Sequence, residues 1–470
     1  MAIAAGFLLS SNRFFHWCVP ILVLCGSLIG RDAVDWVRGR LDLFDPAGIL
    51  GLFGYYFFFI TPMLQIYLDY RLLYVRVQPE DYRPWIGRMA IINAIGILIY
   101  RFVGQLVIRY RRRRPRVVWR LDQRRFLLSA IPVMLLCAAL QAYIYVRVGG
   151  FEGYIASYTL FLNGIDAFRG MGWQITIAES FPILAVMTAA VYARARRIRM
   201  GWLFCCGAMA VVFLLEMLFG GLRGSRINIL WPLLWAGGIL HLYVRRVTRA
   251  FALAGIVFVS IFGYLYGFYK SAPQNVSLAL KGAEYREEMV KASNRTPTVV
   301  MLSDFSRCTE QAFLLYRAVG MPRDWEYAKG ATYVGAIALV VPRAVWPNRP
   351  PTKIKWTTEV TFGPGTYEES SLWSSMVYGL AGEAVLNFGP YAAPLSFIAL
   401  GLAVGFLRRT MEGLPHSDPR MLLFPFLALI CLFLLLNDSD NVLFMAIKYG
   451  TLPCAIILFS SLHHYRRALP

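Results

Sequence analysis

Long apolar runs alternate with short polar connections along most of the chain. Runs of about 18 residues or more can cross a bilayer as helices. The pattern predicts about 11 spans, or about 12 if one near the N-terminus is interrupted. We place them at 14–30, 47–66, 88–108, 126–146, 176–193, 202–219, 227–243, 250–268, 388–407, 421–436 and 442–462. The expected fold class is therefore an all-α polytopic membrane protein.

One stretch, 269–387, is too long and too polar to be a simple connection between spans, and loops of this length are usually functional. It divides the chain into membrane helices with short loops (1–268), a large loop (269–387) and C-terminal membrane helices (388–470). Within the loop we expect two helices, at 277–292 and 303–319, the second capped by Ser303 or Asp304. The apolar segment Ala331–Val341 is too short to span, so it is re-entrant or lies at the membrane interface.

Composition supports the membrane assignment and explains the charge. Of 470 residues, 58% are hydrophobic and 16% are charged, and the formal net charge is +21. Most arginine clusters adjoin apolar runs, as the positive-inside rule predicts for cytoplasmic loops, so the charge reports topology and not a nucleic-acid partner. These clusters lie at 109–125, 194–199, 245–249, 408–420 and 463–467. The large loop is then expected on the opposite, extracytoplasmic side.

Neither a disulfide framework nor a metal or cofactor site is expected. The eight cysteines lie mostly inside apolar runs, with no CxxC pair and no grouping with histidine. Asp438-Ser439-Asp440 matches the DxD string of some metal sites, but it lies in a very short turn. Fixed cations are the preferred alternative to a metal for neutralising a departing phosphate.

Two cationic stretches are candidate phosphate-binding sites. In the loop, four cations fall within a short span: Arg343, Arg349, Lys353 and Lys355. They either hold a phosphorylated lipid or contact headgroups. In the turn Gly220–Arg226, glycine amides and the guanidiniums of Arg223 and Arg226 can grip phosphate oxygens, although both arginines can also snorkel to headgroups. Glu216, inside the preceding apolar run, is expected to pair with an arginine.

A transferase also needs a base for an incoming hydroxyl. The candidates expected on the extracytoplasmic side are Asp304, Glu310, Glu368, Glu369 and Glu383. Glu383 is preferred because it lies at the membrane edge, where burial would raise its basicity. Asp304 remains a second candidate, although a salt bridge with Arg307 one turn away also accounts for it. With no histidine between Leu242 and Pro415, a Ser-His-Asp hydrolase site in this loop is not expected.

The chain also resembles a known family in three stretches. Pro342–Gly389 contains Pro-Arg-x-x-Trp-Pro-x-Arg-Pro followed by Gly-Glu-x-x-x-Asn-Phe-Gly, and Val148–Tyr154 and Gly220–Arg226 precede it in the same order. This pattern resembles the Wzy-type bacterial oligosaccharide repeat-unit polymerases. The resemblance implies an inverting, metal-independent, GT-C-like glycosyltransferase of the bacterial inner membrane whose active site faces the periplasm. It would move a glycan from one undecaprenyl pyrophosphate to the terminal sugar of another lipid-linked unit, in O-antigen (lipopolysaccharide) or exopolysaccharide biosynthesis.

In that family, periplasmic arginines bind the donor pyrophosphate, which by motif implies Arg223, Arg226 and Arg343 here. Arg349 stands where lysine is common, and it would assist with Lys353 or Lys355. The implied partners are the lipid-linked donor and acceptor, the bilayer and a chain-length regulator protein. The central expectation is that both arginine groups meet around one diphosphate.

Two alternatives stay open. An O-antigen ligase would transfer the glycan to lipid A-core, but such ligases usually carry a histidine in the large periplasmic loop. A lipid-linked oligosaccharide flippase would perform no chemistry. Transporters tend to place charges mid-membrane and to show internal repeats, and neither feature is expected from this sequence.

Overall fold

The computed structural model describes residues 6, 10–72, 75, 77–109, 117–162, 167–196, 198, 201–223, 226–271, 296–304, 306–322, 325–341, 345–369 and 373–465. Of the residues that the structure describes, 77% are helical, which confirms the all-α expectation. The main helices are α1 (Cys18–Val37), α2 (Pro46–Leu68), α3 (Arg83–Arg109), α4 (Gln123–Arg147), α5 (Gly150–Leu162), α6 (Gly172–Ala195), α7 (Trp202–Phe219), α8 (Ile227–Val244), α9 (Arg249–Ser271), α10 (Cys308–Leu315), α11 (Ala331–Ala338), α12 (Ile354–Phe362), α13 (Gly379–Phe388), α14 (Ala393–Gly413), α15 (Phe424–Leu436) and α16 (Ser439–Ser460).

Nine helices in the described part of the chain are long and apolar enough to cross a membrane. They are α2, α3, α4, α6, α7, α8, α9, α14 and α16, and each overlaps a predicted span. The largest displacement is at α14, which begins at Ala393 and ends at Gly413 where the prediction was 388–407. Two further predicted spans are helical but do not meet this description. α1 carries Arg31, Asp32 and Asp35 in its second half, and α15 is a shorter apolar helix of 13 residues. The protein is therefore membrane-embedded, with nine helices of spanning character among the residues described.

Local sequence chemistry sets where several helices begin. Asp45 precedes Pro46 and its carboxylate accepts a hydrogen bond from the Ala47 N–H at 2.9 Å, which caps α2. Asp122 caps α4 in the same way, accepting from the backbone N–H groups of Arg124 and Arg125. These caps satisfy backbone donors that have no partner within their own helix.

The large-loop helices differ in part from expectation. The segment predicted at 303–319 is broken, because a π turn at Val300–Asp304 is separated from α10, which begins at Cys308. The predicted caps are therefore wrong, since the Ser306 hydroxyl accepts from the Cys308 N–H at 3.1 Å. A second π turn, Tyr316–Gly320, ends this helix at the predicted glycine. The predicted helix at 277–292 lies outside the described residues.

The chain forms two compact units. Unit 1 comprises 1–112, 297–409 and 430–445, and unit 2 comprises 113–296, 410–429 and 446–470. Unit 2 also contains an unpredicted antiparallel ribbon, in which β1 (Val117–Leu121) pairs with β2 (Ser461–Tyr465) in the register Trp119 opposite His463. The ribbon joins the residues before α4 to those after α16.

Close packing between α3 and α14 in unit 1 depends on small residues. A Cβ added to Gly401 would lie 2.9 Å from the Tyr100 carbonyl oxygen, and one on Gly405 would lie 3.1 Å from the Gly104 oxygen. Gly401 and Gly405 form a small-xxx-small spacing, which lets membrane helices approach backbone to backbone. This contact positions α14, which follows directly after α13.

We predict that Gly401→Leu lowers the stability of the protein by about 1–3 kcal/mol, because the new side chain would force α3 and α14 apart. The matched control is Gly207→Leu in α7, where an added Cβ meets nothing within 4 Å. Thermal unfolding of both variants in detergent measures the difference. Equal melting temperatures would show that the α3–α14 contact tolerates separation.

Candidate active site

A buried carboxylate network joins three helices of unit 1. Glu383 of α13 is buried, and its Oε1 accepts hydrogen bonds from the hydroxyls of Thr332 and Ser439, each at 2.7 Å. Its Oε2 accepts from the backbone N–H of Ser439 at 2.6 Å. We call Glu383, Thr332, Ser439 and Asn387 the Glu383 cluster. It places the preferred base candidate in contact with a hydroxyl at the start of α16.

Asn387 fixes the other side of this cluster. Its side-chain amide donates to the Thr332 hydroxyl at 2.7 Å and to the Glu383 backbone carbonyl at 2.8 Å. Its Oδ1 accepts from the Gly330 N–H at 2.9 Å. Because Asn387 and Glu383 are one turn apart in α13, the Gly-Glu-x-x-x-Asn spacing puts both side chains against the start of α11. The motif therefore has a structural role in holding α11 to α13.

The environment of Glu383 holds its pKa near neutrality. Burial raises the pKa of the carboxyl, the nearby charge of Asp438 raises it further, and the donors of Ser439 and Thr332 lower it, giving a value of about 7. A carboxyl with this pKa can exchange a proton at physiological pH. Burial and increased basicity of this residue were both expected from the sequence, and the structure has both.

A second buried group lies beside the Glu383 cluster. The Lys353 ammonium contacts Asp438 Oδ2 at 2.5 Å and lies 3.6 Å from Asp440 Oδ1. Asp438 Oδ1 also accepts from the backbone N–H groups of Tyr378 and Gly379, at 3.0 and 2.8 Å. Burial lowers the pKa of Lys353, but Asp438 and Asp440 together raise it above its ordinary value. Lys353 is therefore a charged lysine inside unit 1.

These contacts show the partners of the Asp438-Ser439-Asp440 string and of Lys353. The Asp438-Ser439-Asp440 string surrounds a lysine ammonium with its two carboxylates, while its serine contacts Glu383. Lys353 was expected to bind pyrophosphate. That role stays a prediction, and it would require Lys353 to leave a buried carboxylate.

The other loop cations are less enclosed. Lys355 is half-buried and lies 3.4 Å from Glu368, whose side chain is exposed. The half-buried Arg349 donates to the Val341 carbonyl oxygen at 3.0 Å. Arg343 lies outside the described residues, as do the side chains of Asp304 and Glu369. Glu310 is buried at the start of α10, and Arg307 donates to the backbone carbonyls of Ser303, Ser306 and Leu436.

Unit 2 contains a separate buried charge cluster around Glu179. The Arg223 guanidinium donates to Glu179 Oε1 through Nε at 2.9 Å and through Nη2 at 2.5 Å. The Lys448 ammonium pairs with Glu179 Oε2 and donates to Asn228 Oδ1 at 2.8 Å. The Tyr449 hydroxyl donates to the same Asn228 oxygen at 3.0 Å. We call Glu179, Arg223, Lys448, Asn228 and Tyr449 the Glu179 cluster.

The Glu179 carboxylate contacts two cations, Arg223 and Lys448. Glu216 is buried and acts electrostatically on Lys448. Among the described residues it forms no ion pair with an arginine, so the predicted Glu216–arginine pair is not found. The Arg223 guanidinium is held mainly by Glu179, which leaves its predicted pyrophosphate role untested. Arg226 is half-buried at the N-terminus of α8. Tyr154, in the family-like stretch Val148–Tyr154, is buried against Ile144 and Ile175.

Sequence reasoning missed Glu179, Lys448, Thr332 and the role of Ser439. Lys448 and Glu179 had a detectable signal, because an ionisable residue inside an apolar run marks a functional hypothesis by default. Lys448 also corrects the expectation that charges avoid the interior of the spans. Thr332 and Ser439 had no local signal, since nothing in their neighbouring residues indicates contact with Glu383.

Comparison with protein-family models, with curated proteins and with solved structures finds no match to this chain.

We predict that Glu383→Gln changes how stability depends on pH. Native Glu383 has a pKa of about 7 against an ordinary 4.5, so within that window the folded state binds a proton that the unfolded chain has released. Wild-type stability should therefore fall as the pH rises from about 4.5 to about 7, and the variant should lack this component. The melting temperature of Glu383→Gln minus that of the wild type should therefore increase as the pH rises from about 4.5 to about 7. The control Glu326→Gln, at an exposed position, should follow wild type, and a pH-independent difference for Glu383→Gln would contradict the assignment.

We predict that Glu179→Gln destabilises the protein by about 3–5 kcal/mol, because it leaves the buried Lys448 ammonium without its carboxylate partner. Lys448→Met should cost less, because Arg223 still pairs with Glu179. The double variant should lose less than the sum, since Arg223 can still reach solvent. Unfolding titrations in mixed micelles measure this cycle. The exposed pair Glu326–Lys329, whose charged atoms lie 3.8 Å apart, provides the control cycle and should contribute below about 1 kcal/mol. Additive losses for Glu179 and Lys448 would show that their pairing is energetically unimportant.

Proposed function

We propose that this chain is a GT-C-like glycosyltransferase of the bacterial inner membrane that polymerises undecaprenyl pyrophosphate-linked oligosaccharide repeat units at the periplasmic face. The observation that carries the proposal is the Glu383 cluster, where a carboxyl with a pKa of about 7 accepts a hydrogen bond from a half-buried serine hydroxyl. Such a pair can accept the proton of an incoming sugar hydroxyl. The motif resemblance at Pro342–Gly389 supplies the substrate class.

The proposed proton path runs through Ser439. The acceptor sugar hydroxyl gives its proton to Ser439 Oγ while Ser439 gives its own proton to Glu383 Oε1, 2.7 Å away. The sugar oxygen then bonds to the anomeric carbon of the donor as the bond from that carbon to the pyrophosphate oxygen breaks. The electron pair leaves on undecaprenyl pyrophosphate, and the configuration at the anomeric carbon inverts. The proton on Glu383 returns to solvent before the next cycle.

Stabilising the departing pyrophosphate is the proposed task of the fixed cations. Within unit 1, Lys355 and Arg349 suit this better than Lys353, because their present partners are an exposed carboxylate and a carbonyl. Arg223, Arg226 and Arg343 are proposed for the same task on the motif resemblance. Lys353 is better suited to position Asp438, whose charge helps to set the pKa of Glu383. Asp304 stays the alternative base.

Transport is the second candidate function, and the Glu179 cluster favours it. Lys448 is buried within α16, a helix long enough to cross the membrane, and charged groups in that position often mark a translocation path. A flippase of lipid-linked oligosaccharides would use the same substrate without forming a glycosidic bond. The two functions are separable because polymerisation continues in detergent, where translocation has no meaning.

We predict that the purified protein, given an undecaprenyl pyrophosphate-linked repeat unit in detergent, forms a ladder of products in the presence of EDTA. Glu383→Gln should reduce the rate on the order of 100- to 10,000-fold, as expected for loss of a general base. Ser439→Ala should also lower the rate, and Ser439→Thr, which keeps a hydroxyl, should restore most of it. The wild-type rate should rise with pH through about 7 as Glu383 ionises.

Glu326→Gln is the matched control and should retain the full ladder, because Glu326 is exposed. A complete ladder from Glu383→Gln would eliminate Glu383 as the base. Absence of any ladder from the wild type, together with lipid translocation in sealed vesicles, would replace the polymerase with the flippase.

A further inference from the structure

Unit 2 also contains a cavity that the proposed function does not use. It has a volume of about 410 Å³ and lies where α6 and α8 end. Its basic lining consists of Arg194, His241, Arg245, Arg246 and His416, and none of the described lining residues is aspartate or glutamate. We call it the basic cavity.

The floor of the basic cavity is an irregular helix end. His241 is buried within a π turn, Leu240–Val244, that terminates α8, and such turns are frequent at functional sites. The Val247 N–H donates to His241 Nδ1 at 2.9 Å. A neutral imidazole that accepts at Nδ1 carries its hydrogen on Nε2. His241 is therefore a hydrogen-bond donor in the lining of the cavity.

Arg194 is held rigidly at the rim. Its Nη1 donates to the carbonyl oxygens of His416 and Tyr243, at 2.8 and 3.1 Å, and its guanidinium lies 4.4 Å from the centre of the Tyr243 ring. These contacts involve neutral groups, so they orient the guanidinium without neutralising it. Attraction to the carbonyl end of α8 explains why one cation sits here.

Arg245 and Arg246 extend the positive lining beyond that helix end. Both are exposed, with Arg245 4.6 Å from the centre of the Trp202 ring and Arg246 Nη2 3.4 Å from His416 Nε2. Asp418 acts electrostatically on Tyr243, but its carboxylate is bound by Arg420 at 2.7 Å and by the Trp119 N–H at 3.1 Å. The cavity is therefore lined by three guanidiniums and by the Nε2–H donor of His241, and its described lining residues include no carboxylate.

We propose that the basic cavity binds a phosphate-bearing anion. Guanidinium pairs and imidazole N–H groups are the usual ligands of phosphate oxygens, and the cavity is large enough to hold a phosphate with an attached organic group. Its place at the ends of two spanning helices suits the headgroup of an anionic phospholipid, and a soluble phosphate ester offers the same chemistry. The inference is independent of the proposed glycosyl transfer.

The test uses the full-length protein and two probes. Glycerol 3-phosphate is titrated into protein in phosphatidylcholine nanodiscs by calorimetry, and phosphatidic acid is added to delipidated protein and counted by native mass spectrometry. Arg245→Gln/Arg246→Gln should weaken binding of the active probe about tenfold or more, because two charge-assisted contacts are lost. Arg196→Gln is the control, since Arg196 is an exposed arginine at the end of α6, the helix that carries Arg194, but it does not line the cavity.

Each outcome decides the proposal. Selective weakening of glycerol 3-phosphate supports a soluble ligand, and selective weakening of phosphatidic acid supports a headgroup. Binding of neither probe to the wild type overturns the proposal. So does an equal loss in Arg196→Gln, which would indicate general surface electrostatics.

Discussion

The structure depends on the exclusion of water from buried polar groups. In hydrocarbon or in a helix bundle, an unpaired charge costs several kcal/mol, so each buried ion requires a partner supplied by the protein. Lys353 with Asp438 in unit 1 and Lys448 with Glu179 in unit 2 are the clearest cases. In each case the partner lies far away in the chain, so the ion pair also ties distant helices together.

The same constraint determines which features the sequence could predict. A membrane-spanning helix forms all of its backbone hydrogen bonds within itself, so a local run of apolar residues is enough to predict it. Nine of the predicted spans overlap helices of spanning character among the described residues. α1 is less clear because Arg31, Asp32 and Asp35 interrupt its apolar pattern. Ion pairs between distant residues cannot be predicted in this way. Lys353 and Asp438 are separated by 85 positions, and the sequence around each residue does not indicate its partner. The identity of the partners therefore required the structure.

The Glu383 cluster contains both a property that the local sequence predicts and a contact that it does not. Burial and raised basicity of Glu383 were predicted from its position at the membrane edge, and the structure has both. The contact with Ser439 did not follow, because it brings together α13 and the start of α16. In Asp438-Ser439-Asp440 the DxD pattern indicates the two carboxylates as the functional groups, whereas the central Ser439 is the residue that contacts Glu383 Oε1. Spacing alone could not distinguish a metal-binding string from one that encloses a lysine.

The start of α16 explains why Glu383 is poised and not simply protonated. The first backbone N–H groups of a helix lack partners within it and carry partial positive charge. Glu383 Oε2 accepts from the Ser439 N–H at the first residue of α16, so the carboxylate of one helix caps the beginning of another. This contact favours the ionised form, whereas burial and Asp438 favour the protonated form. A capping role alone would be served by a fully ionised carboxylate, and a structural hydrogen bond alone by a glutamine. The proposed proton transfer uses all three features of the site, namely the cap, the adjacent negative charge and the serine hydroxyl.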